Sequence, residues 1–321
     1  MNPPMVAPPF PQIAAASRAQ RLEWPAHKVR MVLDTDTYNE IDDQFALVYA
    51  LLSPEKLAVE AIYAAPFHNE RSTGPADGMT KSYEEILRLL ERLQRSSAGF
   101  VFQGATQFLD ASLSPQPTPA AEDLIARALA SSPADPLYVV AIGAITNVAT
   151  AMLLEPKIVE QIVVVWLGGH AWWWPHTAEF NLRQDLHAAR LVFDSGAPLI
   201  HIPCEGVTSH LLTTPAEIER YVRGRGPIGD YLADIFATYA PDTPGWSKVV
   251  WDMAAIGWLL DGGWVPSELI HSPVLTDQLT WSVDRARHLI RSACTVQRDR
   301  LFGDLFAKLA AHAARPVVAA G

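Results

Sequence analysis

Four aspartates and one glutamate fall within ten residues near the start of the chain, in the run Asp34-Thr35-Asp36-Thr37-Tyr38-Asn39-Glu40-Ile41-Asp42-Asp43. Carboxylates this close repel one another, so gathering them costs folding free energy unless a cation neutralises them. A donor set of hard oxygens, with no His or Cys among them, favours Ca²⁺ or Mg²⁺ over zinc. Ca²⁺ takes roughly 6–8 oxygens, so further ligands have to come from elsewhere in the chain, main-chain carbonyls included. A solvated turn that caps a helix accounts for Asp42, because aspartate at a helix N-terminus is stabilised by capping and by the helix dipole. It does not account for Asp34 and Asp36, which close an apolar run.

The elements around the cluster explain that placement. Val29–Asp34 reads as a buried strand, and Asp43–Leu52 as a helix with acid at its N-terminus. Leu57–Ala65 is the next strand, and Ser82–Leu93 carries apolar residues at helical spacing. The alternation repeats with a helix at Ala121–Ala130, a strand at Leu137–Ile142, helical stretches at Asn147–Leu154 and Pro156–Gln161, a strand at Ile162–Leu167, a helix at Leu186–Phe193 and a strand at Pro198–Ile202. Helices are expected at Pro215–Arg223, Ile228–Tyr239 and Trp251–Leu260, a short β segment near Leu279–Val283, and a C-terminal helix at Gly303–Ala311. Continuously apolar strands alternating with helices predict an α/β fold with a mostly parallel central sheet covered on both faces. In such sheets ligands bind at the carboxyl edge, where the acidic cluster falls.

At 321 residues, with 49% hydrophobic and 19% charged, the chain suits one large α/β domain over 29–321, with 1–28, rich in Pro and Ala, as a loosely ordered arm lying on the body or on a partner subunit. A net charge of −10 argues against nucleic acid and anionic membranes as partners. No apolar run spans a bilayer, and the first residues lack the order of a secretory signal, so a cytoplasmic protein is expected. Cys204 and Cys294, far apart and outside any C-x-x-C pattern, are expected as reduced thiols.

Beyond the acidic run, three blocks follow in order: Gly143-Ala144-Ile145-Thr146-Asn147; Leu167-Gly168-Gly169 with Ala178-Glu179-Phe180-Asn181; and Trp251-Asp252. Together with Asp34, Asp36, Asp42 and Asp43 they resemble the motifs of the inosine–uridine preferring nucleoside hydrolase family, over roughly Val29 to Leu260. One departure is clear. The family pattern has three residues before the acidic pair, and this chain has five, Thr37 to Ile41. The resemblance implies a Rossmann-like nucleoside hydrolase fold, Ca²⁺ as cofactor, a nucleoside as substrate and a homodimer or homotetramer. It implies that Asp36, Asp43, Asp252 and the main-chain carbonyl of Ile142 hold the ion. Asp42, Asn69, Glu179 and Asn181 would bind the ribose, and Asp34 would support the cluster from behind. N-glycoside hydrolysis through an oxocarbenium-like sugar suits carboxylates packed beneath the ring and one carboxylate, Asp36, that takes a proton from water.

Some members of that family carry a histidine before the last aspartate; here it is Trp251, which resembles the purine-preferring branch, where a tryptophan stacks on the base. A second stacking face is open among Tyr38, Phe67, Tyr83, Trp172, Trp173, Trp174 and Trp246, and a proton donor among His68, His170 and His176. Two other readings compete. Asp34-Thr35-Asp36-Thr37 partly matches the D-x-D-x-T/V motif of haloacid dehalogenase-type phosphohydrolases, but no downstream Lys and late acidic pair complete it. A riboside-binding protein that keeps the fold and the ion without turnover is the second. Base release from nucleosides separates it from an enzyme.

Overall fold

Strands whose every side chain is apolar can be satisfied only between two layers of helix, and that is what the computed structural model shows over residues 10–239, 241 and 243–314. In chain order the first elements are α1 (Ala15–Arg21), β1 (Val29–Thr35), α2 (Asp42–Leu51), β2 (Leu57–Ala64), α3 (Pro75–Arg92), β3 (Val101–Gln103), α4 (Pro119–Leu129) and β4 (Leu137–Ala141). Then come α5 (Thr146–Leu154), β5 (Ile162–Leu167), α6 (Phe180–Gln184), α7 (Leu186–Asp194), β6 (Leu199–Ile202), β7 (Leu212–Thr213), α8 (Pro215–Tyr221), α9 (Gly226–Tyr239) and β8 (Lys248–Val249). The chain closes with α10 (Met253–Leu260), β9 (Ser267–His271), β10 (Val274–Leu275), β11 (Trp281–Ser282), β12 (Leu289–Ala293) and α11 (Arg298–Ala313).

Eight strands form one sheet in the order β3-β2-β1-β4-β5-β6-β12-β9. Every neighbour pair is parallel except β12 with β9. Alternate residues of one strand feed opposite cores. Met31 and Leu33 pack with α2, α3 and α10, whereas Val32 packs with α4, α5 and α7. The strand order reverses at β1, which has β2 on one side and β4 on the other. Such a reversal leaves a crevice outside the carboxyl ends of the two central strands. Asp36 follows β1 and Ile142 follows β4, so both stand at its lip.

Two helices aim their N-termini at the same place. Asp42 and Asp43 form the first turn of α2, and Asp252 immediately precedes α10. α10 is buried from Met253 to Leu259 and therefore apolar on every side. Its packing beside α2 in one core brings Asp252 to residues more than two hundred positions earlier.

The single α/β domain and its mostly parallel sheet are as expected from sequence. The differences are local. α3 begins at Pro75, seven residues before the expected start, because proline is favoured in a first helical turn. α10 begins at Met253, leaving Trp251 in the preceding turn. α11 runs longer than expected at both ends. β12 and β9 complete the sheet although neither reads as a strand. β12 (Leu-Ile-Arg-Ser-Ala) interrupts its apolar residues with a half-buried arginine, and β9 is a half-exposed edge. Of the N-terminal arm, residues 10–28 are described, and they lie packed on the body. Leu22 is fully buried, Arg18 Nε donates to Gly196 O at 3.1 Å, and Arg21 Nη1 donates to Glu160 O at 2.7 Å. The expectation of looseness for residues 1–9 lies outside the described residues.

Gly78 fixes α3 against the turn after β2: a Cβ there would lie 2.0 Å from Phe67 O. Gly303, exposed in α11, has open space at the same point. Gly78→Ala should therefore lose about 1–3 kcal/mol of stability in urea unfolding. Gly303→Ala should gain about 0.5–1 kcal/mol. Equal effects of the two changes would contradict the packing described.

Candidate active site

The carboxyl edge of the sheet holds a cavity of about 250 Å³. Asp36, Asp42, Asp43 and Asp252 line it together with Ile142, Glu179, Asn181 and Trp251, so eight of the ten positions singled out from sequence meet there. Asp34 and Asn69 do not line it. Asp34 stands behind the cluster, fully buried, with Oδ2 accepting from Asn147 Nδ2 at 2.8 Å. The same asparagine donates to Ala64 O and accepts from Ala105 N, so one side chain of the Gly143–Asn147 turn ties three segments together. Asn69 is one step removed: its Nδ2 donates to Asn39 Oδ1 at 2.7 Å, and Asn39 lines the cavity.

The acidic groups are crowded. Carboxylate oxygens of Asp42, Asp43 and Asp252 all lie within 4.8 Å of one another. Asp43 Oδ1 accepts from Thr35 Oγ1 at 2.5 Å, and Asp42 Oδ2 accepts from the Trp251 amide at 3.2 Å. Asp36 is fully buried, and among the described residues neither of its carboxylate oxygens has a hydrogen-bond partner. It packs so closely on Gly143 that a Cβ there would sit 3.0 Å from Asp36 Cγ, which explains glycine after Ile142. The resemblance assigns Asp42 to the sugar rather than to the ion. The geometry puts its carboxylate in the tight triad with Asp43 and Asp252, and Asp36 beside it.

Burial is the main force on these groups, and repulsion adds to it. Asp34 is pushed up to about 7 by burial, partly offset by the Asn147 hydrogen bond. Asp43 is pushed up to about 8 by burial and by Asp42. Asp36 and Asp252 are held well above the usual carboxylate range by burial and by the neighbouring aspartates. Lys248 pairs with the rim of the cluster, its Nζ 2.5 Å from Glu40 Oε2 and 4.0 Å from Asp42 Oδ1, while Arg71 Nη1 donates to Glu40 O at 3.2 Å and Arg183 acts on Glu179. Lys248 faces Glu40 and Asp42 and leaves Asp36 without a counter-charge. An orphaned buried carboxylate beside a triad of others fits a hard divalent cation.

The opposite wall is polar backbone and flat rings. Glu179 caps α6: its Oε2 accepts from Gly169 N and Leu182 N, and its Oε1 from Asn181 N. Asn181 Nδ2 donates to Ile142 O at 3.0 Å and to Leu167 O at 3.1 Å, aligning the ends of β4 and β5. Trp251 lines the cavity as expected, and Phe180 is a second aromatic ring among the lining residues. None of the seven aromatic candidates for the second face lines it. Trp172, Trp173 and Trp174 are 38–47% exposed, Phe67 is core, Tyr38 lies under Arg71, and Trp246 packs on Phe236. Phe180 was legible as the middle of Glu179-Phe180-Asn181 but carried no role there. Of the three histidines only His170 lines the cavity. Its Nδ1 accepts from Glu205 N, and burial, with His176 beside it, lowers it to about 4. Cys204 and Glu205, in the turn after β6, also line the cavity and went unnoticed, because nothing in their local sequence marks them. The late acid of Gly303-Asp304, the chain's weak counterpart to the one a phosphohydrolase needs, lies in α11 and accepts from Tyr49 OH at 2.7 Å, and it does not line the cavity.

These shifts set a pH dependence. Asp34 and Asp43 bind protons more tightly folded than unfolded, so ionising them opposes folding. Chelated protein should lose melting temperature as pH rises from about 4 towards 8. Added Ca²⁺ should restore it most at the alkaline end. A chelated protein more stable at pH 8 than at pH 5 would contradict the assignment.

Comparison with known proteins agrees with this geometry. The family model described as inosine-uridine preferring nucleoside hydrolase matches residues 31–313. A relative from Klebsiella pneumoniae, named pyrimidine-specific ribonucleoside hydrolase RihA, is 31% identical over 72% of this chain and 79% of its own length. One of the same name from Salmonella arizonae is 32% identical over the same shares. Among solved structures, a plant nucleoside hydrolase superposes with a TM-score of 0.72 at 21% identity, covering 88% of this chain and 99% of that one. A purine-preferring ribonucleoside hydrolase from Gardnerella vaginalis gives 0.69 at 22%, over the same shares. A switch-point cavity walled by buried aspartates, on a chain matched nearly end to end, places this protein in the inosine-uridine preferring nucleoside hydrolase family, as a nucleoside N-ribohydrolase.

Proposed function

We propose that this cavity cleaves the N-glycosidic bond of ribonucleosides to free base and ribose, with Ca²⁺ as cofactor and Asp36 as the base that deprotonates water. The observation that carries the reading is the pair of unpartnered, fully buried oxygens on Asp36 at the head of the cavity. Asp36, Asp43, Asp252 and the Ile142 carbonyl would hold the ion, with the Asp42 carboxylate at its edge. When bound, the ion would orient the sugar diol and lower the pKa of a water.

The chain's own groups supply the rest. Asp36 accepts a proton from the attacking water while the water oxygen bonds to the anomeric carbon. The bond to the base nitrogen breaks, and its electron pair leaves with the base. Asp42, Glu179 and Asn181 hold ribose hydroxyls, with Asn69 acting through Asn39. The buried carboxylates stabilise positive charge that develops on the sugar. Trp251 and Phe180 flank the base. No Lys or Arg lines the cavity, which favours nucleosides over their phosphates. Such an activity belongs to nucleoside salvage in the cytoplasm, in a homodimer or homotetramer. Among the described residues no helix is long and apolar enough to cross a membrane.

The relatives from Klebsiella and Salmonella are named pyrimidine-specific, whereas the ring of Trp251 offers a larger purine more stacking area. Purified protein should release ribose from inosine, adenosine, guanosine, uridine or cytidine when Ca²⁺ is present and not after chelation. Asp36→Ala should lower kcat/KM by about a thousandfold and weaken Ca²⁺ binding. Full activity in that variant would sink the mechanism. Trp251→Ala should cost purine nucleosides about 3–10-fold more than pyrimidine ones. Equal losses would remove the stacking role.

A further inference from the structure

The base end of the cavity lacks what a neutral leaving group needs and has what a cationic one would use. Departure of a neutral base is eased by an acid that protonates it. The position before Asp252 holds Trp251, which has no proton to give at neutral pH. The one histidine that lines the cavity, His170, accepts from the Glu205 amide through Nδ1 and stays neutral. The lining includes no Lys or Arg.

Negative charge, by contrast, is in surplus. Glu179 accepts from three backbone amides, which bring no formal positive charge, and Arg183 acts on it from nearby. Glu40 and Asp42 share the single ammonium of Lys248. Glu205 lines the cavity next to His170, and among the described residues its carboxylate has neither a hydrogen bond nor an ion pair. Trp251 and Phe180 add flat rings, whose faces attract cations. A bound divalent ion would offset the charge of its own aspartate ligands, and Glu205 would be left with no paired cation among the described residues.

We infer that the preferred substrates are ribosides whose base is already cationic, such as N-alkylated purines or pyridinium heterocycles, held by Trp251 and Glu205. This rests on the ribohydrolase reading above and names its substrate class. For such a substrate the C–N bond pair neutralises the base as it leaves, so no proton has to be delivered. Water supplies the hydroxyl of ribose, and its proton goes to Asp36.

The test compares pairs that differ in charge and little else. Ribose release is measured with 7-methylguanosine and guanosine on the Ca²⁺-loaded protein. Binding of 1-methylnicotinamide and nicotinamide is measured by calorimetry, independently of turnover. The proposal expects kcat/KM at least tenfold higher for 7-methylguanosine, and binding of 1-methylnicotinamide at least fivefold tighter than nicotinamide. Because 7-methylguanosine is intrinsically more labile, Glu205→Gln is the deciding variant: it should reduce the ratio of the two kcat/KM values at least threefold, which intrinsic lability cannot do. An unchanged ratio in that variant, or equal binding of the two nicotinamides, overturns the cationic preference and leaves the ribohydrolase reading standing if guanosine is cleaved. No ribose from either nucleoside, with Ca²⁺ bound, overturns both.

Discussion

Taking carboxylates out of water without a counter-charge is among the most costly things a fold can do, and this fold does it several times in one place. Asp34, Asp36, Asp42, Asp43 and Asp252 are each at most 3% exposed. Within the chain, relief is partial. Thr35, Asn147 and the Trp251 amide donate to three of them, and Lys248 stands near Asp42. Among the described residues nothing donates to the Asp36 carboxylate. A protein gains nothing in stability from such a cluster, so its presence argues for a ligand that completes it.

The architecture meets that cost with several small contributions. The strand order reverses at β1, opening space above its carboxyl end where the acids can gather. The α2 and α10 N-termini converge there, and each offers the positive end of a helix dipole. Gly143 allows Asp36 to lie against the end of β4, and Asn181 braces the Ile142 carbonyl from below. The five-residue loop from Thr37 to Ile41 is held at both ends of its polar stretch. Asn39 bonds to Asn69, and Glu40 bonds to Lys248. The Lys248 contact joins this loop to the segment that carries Asp252, so the departure in loop length comes with its own fastening.

Much of this was legible in the sequence, for physical reasons. Strands such as Ile162–Leu167 are apolar without interruption, which only a doubly covered parallel sheet explains. Clustered aspartates at a strand-to-helix junction are too costly to be incidental. Contacts made by long-range packing were not legible. Phe180 and Trp251 line one cavity because α6 and the turn before α10 both reach it, and no local pattern encodes that meeting. Glu205 comes from a turn whose irregular backbone, with Gly206 at φ 87°, has no periodicity to read. The strands β9 and β12 went unseen because β9 is the sheet's half-exposed far edge and β12 beside it interrupts its apolar residues with Arg291, so packing rather than composition decides there. Eight of the ten chosen site residues line one cavity, and the two that do not are each within one hydrogen bond of the groups that do or of the segments that form it.

Buried, crowded and short of donors, the aspartate cluster has the character of an incomplete cation site. The most direct test of that character is calorimetric titration of chelated protein with Ca²⁺ at pH 7, in two buffers of different ionisation enthalpy. Carboxylates held protonated by burial have to ionise before they can ligate, so binding should release protons. One Ca²⁺ per chain, with a heat that differs between buffers in proportion to their ionisation enthalpies, is the result predicted. No binding, or binding whose heat is the same in both buffers, would contradict it.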